Sequence, residues 1–151
     1  MALAPSRQDH HQLVRYALNQ VAERGVICTM LPGTTAAGEV TVSVAPTGVG
    51  LRAVGMLLDD VEDLNYDRHG EYRQRNVVDV GSVVGLSNEG DFETDQLTGP
   101  TPVQGQAAFL GANGSLTTVQ ASDGLGNVAP ALGYFLGAPN ANGFAPVHID
   151  L

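Results

Sequence analysis

The chain has 151 residues and a mass of 15.7 kDa, which is the size of one ordinary domain. Hydrophobic residues make up 43% of it, enough for a core, and no apolar run approaches the ~18 residues of a membrane-spanning helix. Seven basic and 16 acidic residues give a net charge of −9, which argues against a nucleic-acid partner because Lys and Arg carry most of that affinity.

The basic residues are all arginines, and none lies beyond Arg75. Residues 76–151 carry seven acidic residues and therefore form no salt bridges with Lys or Arg among themselves. Their carboxylates must be solvated, or paired with arginines elsewhere in the chain or on a partner. The lack of Lys excludes mechanisms that use a Schiff-base or phosphate-binding lysine.

The first 25 residues predict a short arm followed by one amphipathic helix. Apolar residues recur there at three- and four-residue spacing, at Leu13, Val14, Ala17, Leu18, Val21 and Ala22. Ser6 and Asp9 resemble a capping box, and Gly25 stands where a left-handed C-cap is expected. We therefore expect an N-terminal arm and helix over 1–25 and a single β-rich domain over 26–151.

From residue 26 onward, apolar runs and alternating patterns predict short strands between Gly- and Pro-rich turns. The ranges are 26–30, 39–45, 51–58, 76–86 with a bulge near Gly81, 106–110, 115–120, 133–136 and 144–151. Residues 51–64 also fit a helix, which Gly55 would interrupt. Asn113-Gly114 is a strong hairpin signal because a type I′ turn needs positive φ at both central positions. The predicted fold is mainly β, a β-sandwich or small β-barrel with one N-terminal amphipathic α-helix.

Two acidic clusters invite a functional interpretation. Residues 59–67 resemble a calcium loop in composition, but they lack the central Gly and the final Glu of an EF-hand. A solvent-exposed acidic connection between two strands is therefore the favoured interpretation. The second cluster, within an acidic link over 89–96, alternates along the chain at Glu89, Asp91, Glu93 and Asp95. This alternation suits an edge strand whose charges discourage aggregation.

Two glycine-rich segments, 48–53 and 124–129, imitate the dinucleotide-binding fingerprint. That fingerprint functions only where a helix N-terminus meets the pyrophosphate. Pro130 would interrupt the helix after the second segment, and the rest of the chain offers turns and strands rather than further βαβ units. A small nucleotide-dependent enzyme therefore remains only a minor hypothesis.

The sequence carries no specific catalytic or metal-binding constellation. Cys28 is the only cysteine, so no internal disulfide forms, and its apolar neighbours predict a buried thiol. The four histidines are His10, His11, His69 and His148, and no two of them have metal-ligand spacing on a helix. A Gly-x-Ser-x-Gly elbow is absent. We predict a protein that is not an enzyme and that has no metal and no cofactor.

Four segments of the chain share a pattern of strand and turn residues, Gly55–Val61, Asn76–Leu86, Gly133–Phe144 and Val147–Leu151. These segments resemble head decoration proteins, also called capsid cement proteins, of tailed bacteriophages. The resemblance covers about half of the chain and does not include the predicted N-terminal helix. In the family, a turn near the C-terminal end usually carries an acidic residue, and this chain has Asn140 or Asn142 in its place.

The resemblance implies a non-enzymatic virion structural protein on the outer surface of the icosahedral head, where it stabilises contacts between major capsid protein subunits. It implies a homotrimer, with a homodimer as the alternative, and neither a nucleic-acid nor a membrane partner. The lack of a recognisable secretory signal agrees with synthesis in the host cytoplasm. The candidate contact residues are Ala2, Leu3, Pro5 and Arg7 in the arm, and Phe144, Val147, Ile149 and Leu151 in the last strand, Phe144–Leu151, which is predicted to be an edge strand. A receptor- or glycan-binding β-module of a phage fibre is the alternative, although the chain has no Trp for sugar stacking.

Overall fold

The computed structural model describes residues 16–35, 38–44, 50, 52–58, 60–62, 77–81 and 83–151. The described part is mainly β, as predicted. Its strands are β1 (Tyr16–Leu18), β2 (Ile27–Thr34), β3 (Val40–Ser43), β4 (Ala53–Leu57), β5 (Asp60–Glu62), β6 (Val77–Asp79), β7 (Val83–Val84), β8 (Leu86–Ser87), β9 (Glu89–Thr94), β10 (Ala107–Leu110), β11 (Leu116–Thr117), β12 (Gly133–Phe135) and β13 (Ala145–Asp150). A single 3-10 turn, Ala112–Gly114, is the helical element among the described residues.

The first half of the chain forms a sheet that nearly closes on itself as a barrel. Its strand order is β7-β1-β3-β2-β4-β8, and the two end strands are separated along the chain by Gly85 alone. The stretch 83–87 therefore pairs with β1 at one end and with β4 at the other. β1 runs parallel to β3, whereas the other pairings in this sheet are antiparallel.

The second half forms an antiparallel half-barrel with the order β11-β10-β12-β13-β9. Its two end strands approach each other just beyond β9, where Leu97 bridges Leu116. The Leu116 N–H donates to the carbonyl of Gln96 at 2.8 Å, and the Thr98 N–H donates to the carbonyl of Leu116 at 2.9 Å. The half-barrel is thus joined at the C-terminal end of β9, and no described strand pairs with the other side of β9.

The barrel and the half-barrel share a wall made of β2 and β4. Cys28 and Leu57 point into the barrel core, whereas Ile27 and Met56 point into the half-barrel core. This division follows from strand geometry, since successive side chains leave a strand on opposite faces. All four are almost fully buried, and burying such a side chain stabilises a fold by about 1.5–3 kcal/mol for Leu, Ile or Met.

The predicted N-terminal helix is wrong over its described part. Tyr16–Leu18 is a strand between β3 and β7, and Ala17 and Leu18 are both buried in the barrel core. Val21, which the helical stripe would bury, is 56% exposed. The apolar spacing instead reflects two short extended contacts with the barrel, β1 and a bridge between Ala22 and Val61. Residues 1–15 of the predicted arm and helix lie outside the described residues.

Most predicted strands after residue 26 are confirmed, with three corrections to their lengths. The predicted strand over 115–120 is only β11, Leu116–Thr117. The run over 26–30 extends through Pro32 and Gly33 to Thr34, with a register shift after Met30. In the predicted long strand over 76–86, a turn at Gly81, whose φ is +84°, separates β6 from β7, and Gly85 separates β7 from β8.

The hairpin prediction at Asn113-Gly114 is confirmed. Asn113 has φ +54° and Gly114 has φ +75°, and β10 pairs with β11 across them. Positive φ at both positions is the backbone requirement that this dipeptide meets.

Candidate functional site

The prediction that Phe144–Leu151 is an edge strand is wrong. β13 is flanked on both sides, by β12 and by β9. Val147 and Ile149 are fully buried in the half-barrel core, so these two residues contact the core instead of a surface partner. The apolar residues of β13 alternate as the sequence predicts, and their side chains face the half-barrel core.

The other predicted contact residues of β13 lie at its two ends. Phe144 is 37% exposed just before the strand, and Leu151 is 38% exposed just after it. They stand at opposite ends of a six-residue strand and do not form one patch. Ala2, Leu3, Pro5 and Arg7 lie outside the described residues, and their role stays a prediction.

The edge strand of the half-barrel is β9, which is last in the strand order and carries the predicted alternation of acids. Glu89, Asp91 and Glu93 are exposed, whereas Phe92 is half-buried and Thr94 is buried. The interpretation of this alternation as an edge strand is therefore confirmed.

The direction of the β9 backbone groups follows from its pairing with β13. The Leu151 N–H donates to the carbonyl of Asn88 at 2.9 Å, which makes this a hydrogen-bonded pair. Hydrogen-bonded pairs recur at every second residue, so Phe92 also faces β13. The backbone groups of Asp91 and Glu93 then point away from β13, and no described residue forms a backbone hydrogen bond with them.

A row of three side chains crosses the outer face of the half-barrel from β12 to β9. Tyr134 pairs with His148, and His148 pairs with Asp91. The ring centroids of Tyr134 and His148 are 5.0 Å apart with a tilt of 35°. His148 Nδ1 and Asp91 Oδ1 are 2.6 Å apart, which agrees with the closer side chains of a non-hydrogen-bonded antiparallel pair.

This row can orient an imidazole. Asp91 contacts His148 Nδ1 as an orienting carboxylate would, yet no described Ser or Cys side chain hydrogen-bonds His148. Within the described ranges, no group of three His, Cys, Asp or Glu side chains is arranged to hold a metal ion.

A groove of about 550 Å³ lies beside the C-terminal half of β9, and we call it the edge groove. It is lined by 21–25, by 56–58 at the end of β4, by Val61 in β5, by 92–96 and by Phe144. Three of its lining residues are large exposed hydrophobics, Val21, Leu58 and Phe144. Its described lining also holds the acids Glu23, Glu93 and Asp95 and one cation, Arg24.

A small loop, Ser122–Val128, projects one leucine into solvent. Ser122 bridges Val128, and Leu125 between them is 87% exposed. Asp123 Oδ1 accepts hydrogen bonds from the N–H groups of Leu125 at 2.7 Å and of Asn127 at 3.1 Å. The Asn127 side-chain amide donates to Asp123 Oδ2 at 2.5 Å.

These contacts lower the pKa of the Asp123 carboxyl group. The hydrogen bonds from the Asn127 side chain and from the Leu125 N–H hold the pKa of Asp123 below its ordinary value of 3.8. The loop contains the second glycine-rich segment, and it forms a turn with no helix after it, unlike a dinucleotide fingerprint. No local sequence pattern indicates that Leu125 is exposed on this turn.

Cys28 lies in the barrel core, as its apolar neighbours predicted. Burial raises the pKa of its thiol from 9.0 to about 12. The thiol is therefore protonated under ordinary conditions and is a poor nucleophile.

No helix in the part of the chain that the structure describes has the length and apolar character to cross a membrane. Comparison with known proteins finds no matching family model, no matching curated protein and no matching solved structure.

Proposed function

We propose that this protein is a non-enzymatic decoration protein of a phage head, bound to the outer surface of the icosahedral shell. The observation that carries the proposal is the resemblance of Gly133–Phe144 and Val147–Leu151, together with two earlier segments, to head decoration proteins. In this proposal the protein is a homotrimer, or failing that a homodimer, and its partner is the major capsid protein.

The loop around Leu125 supports a role in docking. A leucine that is 87% exposed lies on a loop whose backbone is already ordered by the Asp123 carboxylate. Little loop entropy is then lost when the leucine enters a pocket on a partner, so the binding free energy is not offset by ordering.

The charge distribution supports a partner that supplies cations. Residues 76–151, which include the whole half-barrel, have seven acidic residues and no Lys or Arg. An acidic surface of this kind is complementary to a shell face that presents arginines or lysines, and it also keeps the unassembled protein soluble.

The proposed mechanism is stabilisation by mass action. A protein that binds the expanded shell, and not the separate subunits, shifts the assembly equilibrium toward the shell. Many symmetric contacts of moderate strength then add through avidity, and no bond is made or broken.

The test is cosedimentation of the purified protein with expanded heads and, in parallel, with free capsid subunits. We expect saturable binding to heads alone, weakened by deletion of residues 1–7 and by Leu125→Ser. Circular dichroism of both variants controls for folding. Equal binding to free subunits, or no binding to heads, would refute the proposal.

The glycan-binding alternative is favoured by one specific observation. Tyr134 is 46% exposed and stands beside His148 and Asp91, an aromatic face next to polar groups of the kind that sugars stack on. A glycan array should then give binding that Tyr134→Ala abolishes. Under the decoration proposal the array is blank.

A further inference from the structure

We infer that the open edge of β9 and the edge groove together receive an extended segment of a partner in which basic and apolar residues alternate. The segment adds to the half-barrel as a further strand. The inference rests on the proposed function in one respect, since under that proposal the partner that supplies the segment is a capsid subunit.

The backbone of β9 provides the first requirement for strand addition. Asp91 and Glu93 direct their N–H and C=O groups away from β13, and no described residue pairs with them. The carbonyl of Glu89 already accepts a hydrogen bond from Ser87 Oγ at 3.1 Å. The free pairing groups are therefore concentrated at Asp91 and Glu93, and an added strand gains its affinity from main-chain hydrogen bonds at these positions.

The side chains of β9 define what the outer face of the added strand must carry. Residues that pair with Asp91 and Glu93 have side chains on the same outer face as these two acids. Asp91 uses Oδ1 toward His148, and no described residue bonds its Oδ2. An arginine opposite Asp91 would extend the row that begins at Tyr134, and bidentate pairing with a carboxylate suits arginine better than lysine.

The edge groove defines what the inner face of the added strand must carry. Residues between the pairing positions point to the other side of the sheet, toward Phe92 and the floor of the groove. Val21 and Leu58 also line the groove and are 56% and 47% exposed. Apolar side chains of the added strand would cover both of them, which removes apolar surface from water on both partners.

A second copy of this chain does not fit the β9 edge. Pairing of β9 with another β9 would bring Glu89, Asp91 and Glu93 against the same acids of the other copy. Like charges directly opposite in a sheet are destabilising, so the edge rejects itself and favours a basic strand. Charge complementarity therefore selects the occupant.

The first experiment measures binding of three hexapeptides to the full chain by fluorescence polarisation. One peptide alternates arginine and valine, the second replaces arginine by glutamate, and the third is the arginine peptide with N-methylated arginines, whose N–H groups face β9 when the peptide pairs antiparallel to it. We expect the arginine peptide to bind, the glutamate peptide not to bind, and N-methylation to weaken binding about tenfold because it removes backbone donors. Equal binding of the methylated peptide would overturn the inference.

The second experiment compares Glu93→Arg with the matched control Asp150→Arg. Both change the charge equally on the same outer face, but the backbone of Asp150 faces β12, where its N–H donates to Leu132 at 2.9 Å. We expect Glu93→Arg to weaken the arginine peptide about tenfold and Asp150→Arg to weaken it less than about threefold. Equal losses would mean a diffuse charge effect and would overturn the inference.

The same two variants are then tested on expanded heads, which separates this inference from the proposed function. If Glu93→Arg occupies fewer sites on the heads than wild type, and Asp150→Arg does not, both the inference and the proposed function are supported. Unchanged occupancy of Glu93→Arg on heads that bind wild type overturns the inference and leaves the proposed function standing. Peptide binding as expected, with no binding of wild type to heads, supports the edge surface and refutes the proposed function.

Dimers of wild type that Glu93→Arg dissociates would identify a second copy as the occupant and overturn the inference.

Discussion

Thr94 Oγ1 donates a hydrogen bond to the carbonyl oxygen of Gly25 at 3.1 Å, although the two residues are 69 positions apart. The same hydroxyl oxygen accepts a hydrogen bond from the Gln96 N–H at 3.0 Å. Thr94 is 2% exposed, at the end of β9, and Gly25 lies in the turn before β2. This contact joins the half-barrel to the barrel beside the edge groove, so both residues fix the geometry of that surface.

The first prediction concerns Gly25. Its φ is +86°, and a Cβ there would lie 2.7 Å from Thr94 Oγ1. Gly25→Ala therefore combines a left-handed backbone with a steric conflict, and we expect it to lower the free energy of unfolding by about 2–4 kcal/mol. Urea denaturation with an unchanged m-value measures this loss.

Gly124→Ala is the control for the Gly25 substitution. Gly124 has φ +75°, but a Cβ there meets nothing within 4 Å, so only the backbone contribution of about 1 kcal/mol remains. If the two variants lost the same stability, the close approach of Thr94 to Gly25 would not be an important contact.

The second prediction concerns two acids that lie opposite each other on β9 and β13. Glu89 pairs with Asp150, and both are exposed on the same face. Like charges in this position repel, so Asp150→Asn should stabilise the fold by about 0.2–1 kcal/mol, and Asp150→Lys by more. Thermal unfolding at low ionic strength is the measurement.

A double-mutant cycle with Glu89→Gln isolates this repulsion from the effect of net charge. If the pair repels directly, Glu89→Gln stabilises wild type but adds little in the Asp150→Asn background. If the stability changes of the two single variants add fully in the double variant, the two carboxylates act independently and the prediction is wrong.

The third prediction is an acid-dependent order of the Leu125 loop. Hydrogen bonds from the Asn127 side chain and the Leu125 N–H lower the pKa of Asp123 below 3.8 in the folded protein. A depressed carboxyl pKa means that its contribution is present above the unfolded pKa and is lost as the pH falls through the folded value. The amide chemical shifts of Leu125 and Asn127 should titrate with a midpoint below 3.8 and lose this transition in Asp123→Ala. A midpoint at or above 3.8 would be inconsistent with the hydrogen bonds described.

The fourth prediction concerns Cys28, whose pKa burial raises from 9.0 to about 12. A raised thiol pKa favours folding below the unfolded pKa, and this contribution decreases as the pH rises from about 9 toward 12. The stability difference between wild type and Cys28→Ala should therefore shrink over this range. Alkylation by iodoacetamide at neutral pH should proceed only at the rate of unfolding. Rapid alkylation of the folded protein would show that the thiol is accessible.

Local patterns predicted the elements that are determined locally. The alternation of Val40 and Val42 with polar residues identifies β3 because one face of that strand is more buried than the other. Asn113-Gly114 identifies its turn because few other residues accept positive φ at both positions. The alternating acids identify β9 as an edge, since charges on alternate positions suit a strand with one free side.

Long-range packing determined the elements that were missed. Tyr16–Leu18 is a strand of three residues held by parallel pairing with β3, and its apolar spacing is equally consistent with a helix. The edge groove brings 21–25 next to 92–96, and no local pattern indicates that these two segments meet. The sequence also does not show that Val147 and Ile149 face the core, because strand alternation alone does not say which face is buried.

The most direct test of the central claim, that this protein binds a preformed shell and catalyses no reaction, is cryo-electron microscopy of the intact phage particle with an expanded head. The account predicts density for the barrel and half-barrel on the outside of the shell, repeated at equivalent lattice positions, with β9 or the Leu125 loop against capsid subunits. A shell that carries no such density would contradict it.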